Sequence, residues 1–158
     1  MPPPVDLAAA IAHYNRINQY GHANGMALTV PAAGHAEYLM VVRPEHLSSP
    51  GTAHGGILAG LMDAALGAAA LALAFTTSEL VSTVEFKINY YRPVLLGDQL
   101  RAVAQVEHAG TSLIVSSATI YRYPAEASAA EAVAVAKGLG TFNRYPVSKR
   151  AEIRDNYQ

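Results

Sequence analysis

The sequence predicts a two-layer α+β fold, in which one long apolar helix packs against a curled, mostly antiparallel sheet of about six strands. Between residues 57 and 75 the chain reads ILAGLMDAALGAAALALAF, and Asp63 is its only charged residue. A helix that is apolar on all sides belongs inside a fold. Two strand-like segments precede this helix and four follow it, and the short turns between most of them favour antiparallel pairing.

The first half of the chain is expected to hold a short helix, two strands and the long helix. Asp6 can cap the short helix, whose apolar stripe of Leu7, Ile11 and Tyr14 is spaced by four and three residues. We expect this helix to end near residue 20. Strands are predicted at residues 24–30 and 36–43 around the turn-forming run PAAG, and the long helix is predicted from about residue 54 to 75.

The second half is expected to hold four strands. They are predicted from residue 83 onward, at 100–107, at 113–123 and at 132–145, with turns at Gly97-Asp98 and Ala109-Gly110. The first of these strands alternates strictly, with one face made of Val84, Phe86, Ile88 and Tyr90 and the other of Thr83, Glu85, Lys87, Asn89 and Tyr91. Period two therefore predicts that Thr83 faces away from the side that carries Val84 and Phe86.

Length and composition indicate one compact domain. The chain has 158 residues, of which 51% are hydrophobic and 15% charged, which argues against disorder. We expect an N-terminal segment at residues 1–20, the main domain at 21–146 and a polar C-terminal tail at 147–158. The net charge of −1 gives no reason to expect nucleic acid or an anionic membrane as a partner.

Two further features bear on location and chemistry. The chain has no cysteine, which excludes disulfides, thiolate zinc sites and a cysteine nucleophile. Its N-terminal residues lack the basic start and cleavage site of a signal peptide, so we expect a cytoplasmic protein. The long apolar run has about the length of a membrane span, but an Asp at mid-membrane costs about 3 kcal/mol. A buried helix of a soluble protein is therefore expected, with a membrane span as the alternative.

The segment His54-Gly55-Gly56, followed by Asp63, is the strongest chemical signal. Two glycines at a helix start let a ligand approach backbone N–H groups at the positive end of the helix dipole. An ionised carboxylate inside an apolar helix is costly unless it is paired or has a task. Together they offer a site for developing negative charge and a base or nucleophile, which suits attack on a carbonyl. A buried structural carboxylate and a plain glycine turn are the alternatives.

Helix geometry predicts that this site needs two chains. Eight residues of helix rise about 12 Å, so Gly55 and Asp63 of one chain lie too far apart to serve one carbonyl. A partner helix running antiparallel across a two-fold axis could bring its carboxylate to Gly55, with two equivalent sites per dimer. One sheet also cannot cover every side of an apolar helix, which points to a homodimer as well.

The chain resembles the hotdog-fold thioesterases of the phenylacetic acid degradation type. The resemblance runs from about residue 20 to 145 and is carried by SSPGTAHGGILAGLMDAALGAAA and by STVEFKINYYRPVLLGDQLRAVAQVEHAGTSLIV. Its local matches are His54-Gly55-Gly56 with Asp63, Tyr91-Arg92-Pro93 with Gly97-Asp98, and the Gly110 hairpin. The resemblance implies a hotdog fold, hydrolysis of acyl-coenzyme A thioesters, and active sites at a dimer interface, usually in a tetramer made of two dimers.

The resemblance also implies roles for individual residues. The Gly55 N–H would polarise the thioester carbonyl, Asp63 would act as nucleophile or general base, and Thr83 would help to place the water. Ser48 stands where the family often has an asparagine six residues before the histidine, and serine carries no amide. His54 and Gly56 are expected to contact the substrate beside Gly55, with helix capping as the alternative for His54.

Arg92 and the rest of the basic residues are weaker candidates for the coenzyme. Arg92 could hold a phosphate of coenzyme A or form a structural ion pair with Asp98 or Glu85. The other basic candidates, for which a solvated position is the alternative, are Lys137, Arg144, Lys149 and Arg150. No histidine spacing suits a metal site, so neither metal nor redox cofactor is expected.

The predicted function is hydrolysis of acyl-coenzyme A thioesters, with aryl-acetyl or medium-length acyl groups as the substrates considered. One alternative is a hotdog dehydratase or hydratase, which usually pairs a histidine with a carboxylate for proton transfer. Another is a module that binds acyl-coenzyme A without catalysis. Small residues on the long helix, among them Ala64 and Gly67, could leave room for the acyl group or could serve close packing.

Overall fold

A computed structural model describes residues 6–48, 51–123 and 132–149. One long helix and a six-stranded antiparallel sheet make up most of it. The helices are α1 (Leu7–Ile17), α2 (Gln19–Asn24) and α3 (Gly55–Ala74), with short 3₁₀ turns at Pro44–His46 and Phe75–Thr77. The strands are β1 (Ala27–Thr29), β2 (His35–Val41), β3 (Glu79–Tyr90), β4 (Gln99–Ala109), β5 (Leu113–Tyr123) and β6 (Val133–Pro146). The predicted α+β hotdog architecture is confirmed.

The sheet has the order β1-β2-β4-β5-β6-β3, with every neighbouring pair antiparallel. β3 directly follows α3 in the chain, yet it lies at the far edge of the sheet, beside β6. The inner face of β4 carries Leu100, Ala102 and Ala104, which are all buried. At the sheet edge, β3 has 12 residues and, within the described part of the chain, pairs with a strand on one side only. The strand at the opposite edge, β1, has three residues.

Helix α3 lies against strands β2 to β6 and forms the centre of the core. Its largest buried side chains are Leu61, Met62 and Leu66, and burying each contributes about 1.5–3 kcal/mol. Close contact with β6 depends on Gly138, where an added Cβ would lie 2.7 Å from Met62 Sδ and 2.8 Å from the Lys87 carbonyl oxygen. The glycines of β6 therefore serve helix-to-sheet packing.

The predicted strict alternation of β3 is wrong at its centre. The pairing of β3 with β6 shifts between Thr83 and Glu85, so Thr83 faces Phe142 and Glu85 faces Thr141. This bulge inserts Val84 as an extra residue, which is 58% exposed, and it turns Thr83 to the same side of the sheet as Phe86 and Ile88. A bulge adds one residue to one strand only, and the period-two pattern carries no sign of it.

The N-terminal helical segment continues further than predicted, and it consists of two helices, α1 and α2. Asp6 caps α1 as expected, accepting a hydrogen bond from the Ala9 N–H at 3.1 Å. Helix α1 ends at Ile17, but Asn18 caps a second helix, α2, which extends past residue 20 to Asn24. Gly25 ends α2 in the left-handed conformation. The next strand consequently begins at Ala27 rather than at residue 24.

Helix α3 with the turn after it, Gly55–Thr77, has the length and composition of a membrane-crossing helix. The core helix of a soluble protein passes the same test, and here the helix is covered by the sheet, with ten of its residues buried. The expectation of a buried helix agrees with this packing. Residues 124–131 and the part of the predicted C-terminal tail after residue 149 lie outside the described residues.

Candidate active site

The turn before α3 is held by the loop that precedes it. The His54 N–H donates to the carbonyl oxygen of His46 at 2.8 Å, and Leu47 pairs with Ala53. His46 is buried, and its Nδ1 accepts from the Arg43 N–H at 3.1 Å. Burial and the nearby positive charge of Arg43 lower the pKa of His46 below its ordinary value. A neutral, buried histidine thus supports the start of the helix.

His54 caps α3. Its Nδ1 accepts a hydrogen bond from the Gly56 N–H at 2.8 Å, and its backbone is extended. This geometry agrees with the capping alternative, and it leaves the Gly55 N–H as the first free donor of the helix. Within the described residues, no acceptor is in hydrogen-bond range of that N–H.

The Tyr90 hydroxyl fixes the position of Gly55 from the other side. It donates to the Gly55 carbonyl oxygen at 2.8 Å, across 35 residues of chain. Because α3 and β3 are rigid elements, this bond orients the peptide unit at the helix start. Gly55 itself is exposed and open to a ligand.

Asp63 and Thr83 lie together in one chain. The Thr83 hydroxyl donates to Asp63 Oδ1 at 2.9 Å, which the bulge at Val84 makes possible. Among the described residues, no Lys, Arg or His nitrogen lies within ion-pair distance of this carboxylate. The carboxylate is half-buried and can still accept further hydrogen bonds.

The Asp63 carboxylate borders a cavity of about 210 Å³ between α3 and β3. Thr83 and Ser82 contribute hydroxyl groups to the wall, and the other lining residues include Ala64 and Gly67 of α3, Phe142 of β6 and Tyr14 of α1. An added Cβ at Gly67 would lie 3.3 Å from the Phe142 ring, so the glycine leaves this space open. The arrangement joins a carboxylate to a pocket that suits an apolar group.

Two other predicted residues lie apart from the Asp63–Thr83 pair. The Ser48 hydroxyl donates to the Thr52 carbonyl oxygen at 3.1 Å, within the loop before α3. Arg92 donates from NH1 to the Ala134 carbonyl oxygen at 2.9 Å. The predicted ion pair of Arg92 is not found among the described residues, because Asp98 lies 3.7 Å from Arg122 and Glu85 accepts from Thr141 instead.

Sequence reasoning missed the roles of three residues: His46, Tyr90 and Tyr14. His46 supports the turn, Tyr90 orients Gly55, and Tyr14 lines the cavity beside Asp63. Tyr90 was placed on the correct face of its strand, but nothing in the pattern indicated its partner. In the described part of the chain, no three His, Asp or Glu side chains are grouped to hold a metal ion.

The two halves of the predicted site lie at different places in one chain. Gly55 begins α3 and Asp63 follows eight residues later, about 12 Å along the helix axis. Asp63 has its own hydroxyl partner and cavity, whereas Gly55 has only its free N–H and the Tyr90 contact. One thioester carbonyl cannot reach both groups of the same chain.

Comparison with known proteins assigns the fold to a family. The model of the thioesterase superfamily matches residues 50–128, half of the chain. A "Putative esterase" of Halobacterium salinarum is 32% identical over 143 residues, which cover 87% of this chain and 91% of that protein.

Solved structures agree. The PaaI protein from the phenylacetic acid degradation operon of E. coli superposes with a TM-score of 0.76 and 26% identity, over 89% of this chain and 95% of that one. A mutant of the phenylacetic acid degradation protein PaaI from Thermus thermophilus gives a TM-score of 0.67 and 27% identity, over 80% and 98%. The chain therefore belongs to the thioesterase superfamily of hotdog-fold hydrolases.

Proposed function

We propose that this protein hydrolyses acyl-coenzyme A thioesters to a free acid and coenzyme A. The observation that carries the proposal is the Asp63 carboxylate, which stands on an apolar helix, accepts from the Thr83 hydroxyl and borders an open cavity. A half-buried carboxylate without a cationic partner among the described residues is a poor structural element and a good base or nucleophile.

The chemistry needs two groups at one carbonyl. The Gly55 N–H polarises the carbonyl oxygen and stabilises the negative charge that develops there, a contribution of about 3 kcal/mol for such a donor. Asp63 either attacks the carbonyl carbon, so that the C–S bond breaks and a mixed anhydride forms for water to hydrolyse, or takes a proton from the attacking water. In both routes the thiolate of coenzyme A leaves and is protonated. Neither route needs a metal or redox cofactor.

The proposal includes a homodimer that assembles each site from two chains. The free edge of β3 is 12 residues long and carries the exposed side chain of Val84, and such an edge favours pairing with another strand. Antiparallel pairing of β3 with the same strand of a second copy gives a two-fold axis. That symmetry also sets the two α3 helices antiparallel, so that Asp63 of one chain approaches Gly55 of the other. Two such dimers would form the tetramer.

Aryl-acetyl and medium-length acyl groups are the proposed substrates. The structural relatives named for phenylacetic acid degradation support the first group, and the apolar part of the cavity wall, with Ala64, Leu71 and Phe142, supports both. His54 and Gly56 lie next to the proposed carbonyl site, and Arg92 has further guanidinium donors for a phosphate of the coenzyme. Ser48 contributes by holding the loop before α3.

The central test measures release of free thiol from a panel of acyl-coenzyme A substrates. We expect Asp63→Asn to lower kcat on the order of a hundredfold or more, because the amide can act neither as base nor as nucleophile. Glu85→Gln is the matched control, since Glu85 also accepts a threonine hydroxyl, at 2.7 Å from Thr141, but lies away from the cavity. Equal activity of Asp63→Asn and wild type would exclude a catalytic role for Asp63.

The alternatives are separated by the same panel. If wild type binds a non-hydrolysable acyl-coenzyme A thioether but releases no thiol from any substrate, a binding module without catalysis is supported instead. Hydration of an enoyl thioester without thiol release would support a hydratase. The structure does not favour the hydratase, because the Nδ1 of His54 accepts from the Gly56 N–H and no histidine bonds the Asp63 carboxylate among the described residues.

A second test removes the Gly55 N–H itself. Proline is tolerated at the first position of a helix, and His54, with φ −64° and ψ 136°, already has the extended backbone that a following proline requires. Gly55→Pro should therefore fold but lower kcat on the order of a hundredfold. Gly55→Ala keeps the N–H, and its Cβ would lie 3.6 Å from the Tyr90 ring, an ordinary contact. It should stay active.

Co-expression of the two inactive chains tests the shared site. A mixed dimer of Gly55→Pro and Asp63→Asn chains contains one site with both groups intact and one with neither. Random pairing should then restore about a quarter of wild-type activity. No restoration in verified mixed dimers would contradict a site built from two chains.

A further inference from the structure

The cavity beside Asp63 adjoins a larger one. A second cavity of about 400 Å³ lies between α1, the C-terminal end of α3 and the start of β3. It shares Tyr14, Leu71 and Val81 with the cavity that Asp63 borders. The two spaces therefore adjoin at these three side chains.

The larger cavity is lined mostly by hydrocarbon. Its walls include Ala10 and Ile17 of α1, Phe75 after α3, and Leu80 and Val147. Ile17 is 44% exposed and Val147 is 47% exposed. No residue of α1 is buried, and the helix turns Ala10, His13, Tyr14 and Ile17 toward this space. An apolar ligand would complete the burial of a surface that the protein alone leaves in contact with water.

Tyr14 stands where the two cavities meet. Its hydroxyl neighbours that of Tyr38, a fully buried residue of β2, and burial together with Tyr14 raises the pKa of Tyr38 well above its ordinary value. Asn18 also contacts the Tyr38 hydroxyl, at 3.4 Å. The side chain of Tyr14 lines both cavities. Tyr14 is placed to set how wide a group can pass.

We propose that the cavity under α1 holds the distal part of a straight, medium-length acyl chain, with Tyr14 as the residue that sets chain-length specificity. The inference rests on the proposed thioesterase function and narrows its substrate class. The distance from Asp63 to Leu71, eight residues along α3, is about 12 Å. An extended acyl tail covers this distance, whereas an acetyl group or a single phenyl ring ends within the first cavity.

The test blocks the far cavity and leaves the first one intact. Ala10→Trp places a large ring in the space under α1. We expect kcat/KM for decanoyl-coenzyme A to fall at least about tenfold, because each methylene that loses its apolar contact is worth about fourfold. Hydrolysis of acetyl- and phenylacetyl-coenzyme A should stay unchanged. Ala9→Trp is the control, since Ala9 is exposed on the same helix and borders neither cavity.

Tyr14→Ala tests the role of Tyr14 by widening the junction between the two cavities instead of filling the space beyond it. Removal of the ring should raise the ratio of kcat/KM for dodecanoyl- over hexanoyl-coenzyme A above that of wild type, because the junction becomes wider. A chain-length profile of wild type that peaks at acetyl or phenylacetyl, or one that Ala10→Trp does not alter, would overturn the inference while leaving the thioesterase proposal in place.

A binding experiment tests the cavity assignment separately from the proposed hydrolysis reaction. Calorimetry with S-decyl-coenzyme A, a thioether that cannot be hydrolysed, should give a Kd at least about tenfold lower for wild type than for Ala10→Trp. S-ethyl-coenzyme A should bind both equally. If wild type hydrolyses no thioester but shows this difference in Kd, the cavity assignment holds and the proposed reaction fails. If Ala10→Trp binds the decyl compound as well as wild type does, the cavity assignment is wrong.

Discussion

Asp63 and Asp98 are two aspartates of the same domain with opposite surroundings. Asp98 lies in the turn between β3 and β4, is 5% exposed, accepts from the Leu95 N–H at 2.9 Å and lies 3.7 Å from Arg122 NH1. Asp63 is half-buried on an apolar helix, accepts from one threonine hydroxyl and borders a cavity. A carboxylate used for structure has backbone and cationic partners, whereas Asp63 keeps its acceptor capacity open toward a ligand.

The difference shows how a site can be recognised without a bound ligand. The cost of keeping a charge near the core is offset at Asp98 by contacts within the protein. At Asp63 the contacts within the described residues offset less of this cost. An apolar residue at this position of the helix would carry a lower cost. The carboxylate on α3 thus contributes less to stability than Asp98 does, which supports the catalytic role proposed for it.

The largest expected effect on stability belongs to Asp98. Asp98→Ala should lower the free energy of unfolding by about 2–3 kcal/mol, because the Leu95 N–H and Arg122 lose a charged partner. Asp63→Ala should change it by less than about 1 kcal/mol while abolishing thiol release. Urea unfolding at one fixed protein concentration measures both, since an oligomer unfolds in a concentration-dependent way. A larger loss of stability for Asp63→Ala than for Asp98→Ala would reverse the comparison.

A smaller effect is expected at Thr83. Thr83→Val keeps the shape of the side chain and removes the hydrogen bond to Asp63 Oδ1, so kcat should fall about tenfold. Thr141→Val removes the equivalent bond to Glu85 and serves as the control, with activity unchanged. Steady-state kinetics on one acyl-coenzyme A substrate decides this. Similar kcat values for Thr83→Val and wild type would mean that the hydroxyl does not take part.

The smallest effect concerns His46, which is structural like Asp98. Its pKa is lowered in the folded protein by burial and by Arg43, whereas the unfolded chain binds the proton near pH 6.5. Below about pH 6.5 the unfolded state holds more protons, so the free energy of unfolding falls as the pH drops toward the folded pKa. Above that pH the contribution is fully present.

The contribution of His46 to the pH dependence of stability is measured by comparing variants. His46→Gln should remove part of the loss of stability that wild type shows between about pH 7 and pH 5. His35→Gln, at an exposed position on β2, should not. Urea midpoints across this range measure the effect, and identical pH slopes for wild type and His46→Gln would show that His46 does not contribute.

Local patterns were enough to predict most of the fold and to single out the candidate site residues. Helix α3 follows from an apolar run with a capping histidine and two glycines, and β5 follows from its bounds of turn residues at both ends. Asp63 stands out because a charged residue is unexpected on an apolar helix. Gly55 stands out because it lies at the start of that helix, where glycine is a favourable residue. These signals lie within a few residues of each other, where helix and strand periodicity governs the structure.

The tertiary structure alone decided which distant groups meet. The bulge at Val84 turns Thr83 toward Asp63, although strict alternation placed it on the other face. The Tyr90 hydroxyl reaches Gly55 across 35 residues, and Arg92 bonds the Ala134 carbonyl in place of the predicted acid. Such contacts depend on strand register and on the packing of α3 against the sheet. Sequence periodicity specifies which side of an element faces the core, but it does not specify register over long chain separations.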